Sequence, residues 1–146
     1  MANTTSIANT FRNEILTTGF NLTSKSFKAA LYFASATINA TVAAYTATGE
    51  ATGTGYSAGG VAVTNGVAVT GANTTPGGDT YYWTPSAAIV YPTVTIAAFD
   101  SVMIYDATTP FHQVGCWNFG SQSITAGNVT LSMPANAAGT ALVRLL

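Results

Sequence analysis

The chain has 146 residues, four Lys or Arg against five Asp or Glu, and a net charge of −1. That is the length of one domain with one core, and so few cations leave no basic stripe to neutralise a phosphate backbone, which argues against a nucleic-acid partner. Charged residues make up 6% of the sequence, where soluble domains ordinarily carry about a quarter. Their place is taken by short neutral side chains, including 25 Thr and 25 Ala. A surface of hydroxyls and methyls costs little to desolvate when the hydroxyls find partners, so it suits contact with protein.

The first ten residues are polar and lack the apolar core of a secretion signal. No window approaches the roughly 18 consecutive apolar residues of a membrane span. No membrane partner is expected. Between Ser6 and Leu16, Ile7, Phe11 and Ile15 recur at helical spacing with Arg12, Asn13 and Glu14 opposite. This predicts a short amphipathic helix with Ser6 as its N-cap and Gly19 as its stop signal. Phe27 to Phe33 (FKAALYF) then predicts a strand buried on much of both faces.

Residues 34–60 carry one charge, Glu50, and end in Gly53, Gly55, Gly59 and Gly60. They read as a long irregular loop or arm, with one short extended piece at 42–45. Val61 to Thr64 and Val67 to Thr70 alternate on either side of Asn65-Gly66, the strongest hairpin signal in the chain. After the turn-rich stretch 71–79, Tyr81-Tyr82-Trp83 resumes a strand that Pro85 ends. There Tyr82 is expected to pack inward, with Tyr81 and Trp83 covering an edge. Further strands are predicted at 88–91, 93–99, 101–105, 113–119, 128–133 and 141–145. Short strands punctuated about every ten residues predict an all-β, jelly-roll-like β-sandwich, one domain over 1–146 with a helix at 6–16 and a glycine-rich extended arm or loop at 34–60.

Several residues invite a chemical reading. Gly55-Tyr56-Ser57-Ala58-Gly59 matches the G-x-S-x-G nucleophile elbow, and Asp100 or Asp106 and then His112 follow in hydrolase order. The elbow requires a strand before the serine and a helix after it. Here a Gly-Thr pair precedes and two glycines with a β-run follow, so no catalytic residue is assigned. One His, one Cys and scattered acids offer no metal-ligand spacing, so no metal is expected. Gly53, Gly55 and Gly59 fail the G-x-G-x-x-G phosphate pattern, because Ala58 stands at the third position and no helix follows. No cofactor is expected. Cys116, the sole cysteine, lies among Val114, Trp117 and Phe119 and reads as a small buried hydrophobe.

The segment Phe27-Lys28-Ala29-Ala30-Leu31-Tyr32, with Tyr45, Gly49-Glu50, Gly53, Gly55-Tyr56 and Gly59-Gly60 after it, resembles a family of small virion structural proteins of tailed bacteriophages. In that family a K-x-A-L-Y strand precedes a Y-x-x-x-G-E-x-x-G-x-G-Y-x-x-G-G stretch. Ile104-Tyr105, Asn118-Phe119-Gly120-Ser121, Gly127, Pro134 and the terminal 141–145 resemble its later motifs, so the likeness runs through most of the chain. An Arg common in the family ahead of the I-Y pair is absent here, where Asp100 stands instead.

The resemblance implies a non-enzymatic virion component with a sandwich domain. The expected role is a capsid cement or decoration protein, made in the bacterial cytoplasm, which binds the major capsid protein on the outer head surface as a homotrimer. A tail, neck or fibre-base component is the alternative, and a hydrolase acting through Ser57 a third reading. Contacts with partners are expected from Ile7, Phe11, Ile15, Tyr45, Tyr56, Tyr81 and Trp83, on the helix, the arm and the aromatic strand.

Overall fold

A computed structural model describes residues 2–66, 81–137 and 139–145. They form β1 (Ser6–Ile7), α1 (Asn9–Thr17), β2 (Phe27–Phe33), β3 (Val61–Val63), β4 (Tyr81–Trp83), β5 (Ile89–Asp106), β6 (Gln113–Leu131) and β7 (Val143–Leu145). Five strands make one antiparallel sheet in the order β1-β6-β5-β2-β3, and β4 pairs with β7 in a second sheet. The architecture is all-β and sandwich-like with one short helix, as the sequence predicts.

The centre of the large sheet is buried on both faces, and the period-2 alternation of strand side chains sorts its residues into two clusters. Phe27, Ala29 and Leu31 of β2, Val102 and Ile104 of β5 and Val114 of β6 point into the larger core with Phe11, Leu22, Trp83 and Val143. Ala30 and Tyr32, Met103 and Tyr105, and Cys116 point the other way. A strand with apolar neighbours on both sides needs a nearly continuous apolar run, which is why FKAALYF has no polar alternation beyond the exposed Lys28.

The second face is covered by residues 34–60, which of the two expected forms, loop or arm, take that of a loop packed on the sheet. Ala36 and Ile38 are buried against Tyr32, Met103 and Cys116, with Val42 and Tyr45 packed beside them. Ala44 bridges His112, so the short extended piece exists and is tied to the sheet. A segment this rich in glycine follows the surface of a sheet closely, and its few apolar side chains are enough to roof it.

Two other boundaries differ from expectation. The helix starts at Asn9, because Ser6 and Ile7 are drawn into the sheet opposite Cys116 and Gly115. Ser6 is therefore not its cap, and Ala8, which holds the N-cap position, supplies no side-chain hydrogen bond. The stop signal is as predicted: Gly19 takes a left-handed φ of 69°, and its N–H donates to the Glu14 carbonyl. The strands expected at 88–91, 93–99 and 101–105 are one continuous strand, β5, and those at 113–119 and 128–133 are likewise joined in β6. Left-handed residues at Thr93, Ala98, Gly120 and Ala126 lie within the paired ribbon, and its register shifts several times between Tyr91 and Ser101. Bulges of this kind bend a strand without ending it, so turn-like residues there do not mark breaks.

The first arm of the predicted hairpin is β3, paired with β2. Its second arm, 67–70, and the turn-rich stretch after it lie outside the described residues. Asn65 is seen in another role: its side chain donates to the Thr23 and Lys25 carbonyls and accepts from Gly66 N–H and the Trp83 indole. Trp83 is fully buried, 5.4 Å from Phe27, while Tyr82 is half-buried and Tyr81 exposed. This corrects the expected inward Tyr82: β4 lies across the large core, which takes its largest ring.

Candidate functional site

Tyr45, Tyr56 and Gly59 converge on Glu50. Its side chain is 6% exposed and accepts hydrogen bonds from three directions. Tyr45 Oη donates to Oε2 at 2.6 Å, Tyr56 Oη to Oε1 at 2.8 Å, and Gly59 N–H to Oε1 at 2.7 Å. Tyr45 stacks on Tyr105 with centroids 4.8 Å apart, and Tyr56 on Tyr91 at 5.9 Å. Tyr45 belongs with the smaller apolar cluster and Tyr56 with the larger, so one carboxyl group ties together the loop segments packed on the two faces of the sheet.

The same segment closes the edge of β2. Beyond Ala29, where pairing with β3 stops, Phe33 N–H donates to Gly49 O, Ala51 N–H to Leu31 O, and Leu31 N–H to the Tyr56 hydroxyl. The loop thus supplies the partners a further strand would have supplied. It also reaches β5, where Thr95 N–H donates to Thr54 O. Two glycines are required by this close approach. A Cβ on Gly53 would overlap the Thr95 carbonyl oxygen, and one on Gly60, whose φ is 69°, would overlap that of Ala29.

The phenols here hold their protons firmly. Burial, and then donation to Glu50, raise Tyr45 and Tyr56 well above the ordinary tyrosine range. Tyr91 and Tyr105 are raised by burial and by the charge of Glu50. The arrangement is a lock built of donors around a buried acceptor. Its spacing, Tyr, Gly-Glu, Gly, Gly-Tyr, Gly-Gly, is visible in the sequence, but nothing local in it says that Tyr45 and Tyr56 grip the same carboxyl group.

Four of the seven expected contact residues meet elsewhere. Phe11, Ile15, Tyr81 and Trp83 line an open apolar groove of about 320 Å³ between α1 and the β4–β7 sheet. Phe11 and Trp83 are fully buried, so only the rim, with Tyr81 41% exposed, faces solvent. Ile7 lines a separate hollow beside Trp117 and Leu142. Tyr45 and Tyr56 are half-buried, with their hydroxyls committed to Glu50.

The serine, acid and histidine of the hydrolase pattern are not brought together. Ser57 is exposed on the loop, His112 Nδ1 contacts Glu14, Asp106 pairs with Lys25, and Asp100 accepts from the side chains of Asn3 and Asn118. Burial opposes the charge on Asp106, but Lys25 and Thr108 outweigh it and hold the carboxyl below its ordinary range. Asp100 is 5% exposed, its carboxyl group held inside the fold by the two asparagines. Cys116 is fully buried, and burial pushes its thiol up to about 12. Among the described residues no three of His, Cys, Asp and Glu gather as metal ligands, and no helix is long and apolar enough to cross a membrane. No protein-family model matches the chain, and neither a curated protein nor a solved structure matches it.

Proposed function

We propose that the chain is a structural protein of a tailed-phage particle, acting as a cement protein that binds the major capsid protein on the outer head surface as a homotrimer. The observation that carries this reading is the Glu50 lock. The motif behind the family likeness is a connected set of contacts in this chain, in which Tyr45, Glu50, Tyr56 and the glycines each have a physical task. A likeness spread over residues that a fold needs together is harder to obtain by chance than one spread over a biased composition.

The surface supports the same reading. Of the four described acids, Glu50, Asp100 and Asp106 are buried, and the side chain of Glu14 is 17% exposed. What remains outside is mostly Thr, Ser, Ala, Asn and Gly, which suits burial against other proteins. A clip that holds several subunits at once gains avidity from linked contacts, and closed cyclic symmetry lets a trimer match a threefold lattice position.

The test is a particle lacking the protein. It should assemble but release its DNA at a lower temperature than the complete particle, and high salt should leave the protein bound, since few ion pairs are there to be screened. Hundreds of copies per particle are expected, on the order of the lattice sites of a head. A map placing the protein only along the tail would overturn the cement reading in favour of a tail component.

A further inference from the structure

The large sheet has two long edges, and they are treated differently. On the β2 side, β3 and residues 49–56 meet the outward backbone groups of β2 and reach β5 at Thr95. On the β6 side, β1 pairs only with Gly115 and Cys116, and the Thr5 hydroxyl accepts from Asn118 N–H. From 119 to 131, among the described residues, no strand or loop pairs with the outer edge of β6.

An unpaired strand is a template for another strand, and proteins ordinarily guard it with charge, proline or a bulge. This edge has no charge and no proline: no Lys, Arg, Asp or Glu stands between Asp106 and Arg144, and the next proline after Pro110 is Pro134. The left-handed residues Gly120 and Ala126 bend it at two points and leave Ser121–Thr125 between them. Residues 118–123 are all exposed. Beside the strand lie two hollows of about 400 and 360 Å³ that share Phe119, Thr130 and Leu131, with Phe119 itself 36% exposed. Backbone groups along an edge with apolar hollows beside them are the two parts of strand-addition recognition: main-chain hydrogen bonds for affinity, hollows for side chains.

We propose that the 119–125 edge of β6 is the surface through which copies of this chain join, a neighbouring copy laying an extended segment along it and an apolar side chain beside Phe119. The assignment deepens the oligomer part of the reading above and rests on it. A second copy is the fitting occupant because an uncharged edge offers an acidic or basic partner nothing to recognise. Two copies of a chain with 6% charged residues meet there without like-charge repulsion.

The experiment compares the purified full chain with Ser121→Lys/Thr125→Lys and with Phe119→Ser, reading mass by light scattering at about 1 to 100 µM and amide exchange by mass spectrometry. The expected result is an oligomer of the parent chain that falls to monomer in the double-Lys variant with an unchanged circular-dichroism spectrum. In the parent, exchange at 119–125 should be at least about tenfold slower at the high concentration than at the low one. That dilution measurement needs no variant, so it stands even if Phe119→Ser fails to fold. An oligomer that ignores the Lys pair and shows no concentration-dependent protection at 119–125 overturns the edge assignment and leaves the oligomer standing. A parent chain monomeric at about 100 µM overturns both.

Discussion

The two edges of the large sheet solve the same problem in opposite ways. The β2 edge, next to a loop that looks unstructured in sequence, is closed by that loop with backbone hydrogen bonds, a tyrosine hydroxyl and a buried carboxyl group. The β6 edge, in a sequence whose glycines at 120 and 127 read as breaks between two short strands, is the one left open among the described residues. The lesson is that irregular sequence is not the same as loose structure. A glycine-rich segment can approach a strand as closely as another strand does, provided a few side chains anchor it.

The hardest way to break this contrast is to remove the anchor. Glu50→Ala would leave two phenols and one N–H without their acceptor in a largely buried place, and should cost roughly 3–5 kcal/mol of unfolding free energy by urea denaturation. A loss below about 1 kcal/mol would mean that the loop is held by its apolar contacts alone. Gly60→Ala should cost roughly 2–3 kcal/mol, because the new Cβ meets the Ala29 carbonyl and the left-handed backbone disfavours any side chain.

Alkaline pH loads the same edge without a mutation. Tyr56 and Tyr91 have folded-state values above the ordinary 10.0. The unfolded chain therefore loses those protons first. Stability from these groups is fully present below pH 10.0 and is lost as pH rises from there toward the folded values. Denaturant midpoints should fall steeply above that pH, and Tyr56→Phe should flatten the fall. Acid works in the opposite sense at Asp106, whose value is lowered from 3.8: its contribution is present above that pH and declines as pH drops below it.

The smallest effect is expected at the open edge. Ser121→Lys should change the unfolding free energy by less than about 0.5 kcal/mol, because the residue is exposed and touches little. A large loss there would show that the edge is needed inside the monomer, which would remove the contrast.

How much of this could be read beforehand differs residue by residue. FKAALYF announced a strand buried on both faces, because apolar side chains in succession leave neither face for water. Gly19 announced the end of the helix, and Cys116 its own burial. The break signals within β5 and β6 misled, because a glycine or a left-handed residue has the same local preference in a bulge as in a turn. Only the partner strand decides between them. In the lock, Glu50 stood out as the single charge of its segment and Tyr45 and Tyr56 through the motif spacing, as contacts for a partner, while their meeting depended on where the sheet stood.

The sequence by itself determined which segments extend, which residues repel water and how little charge the surface holds, since these follow from side-chain chemistry and local period. Tertiary structure alone decided that residues 34–60 roof a sheet, that Trp83 rather than Tyr82 fills the core, and that one edge is sealed and the other free of pairing among the described residues. Those outcomes depend on contacts between residues far apart in the chain. Glu50 and Tyr105, or Asn3 and Asp100, are neighbours only because closing the sheet outweighs the entropy of bringing distant segments together.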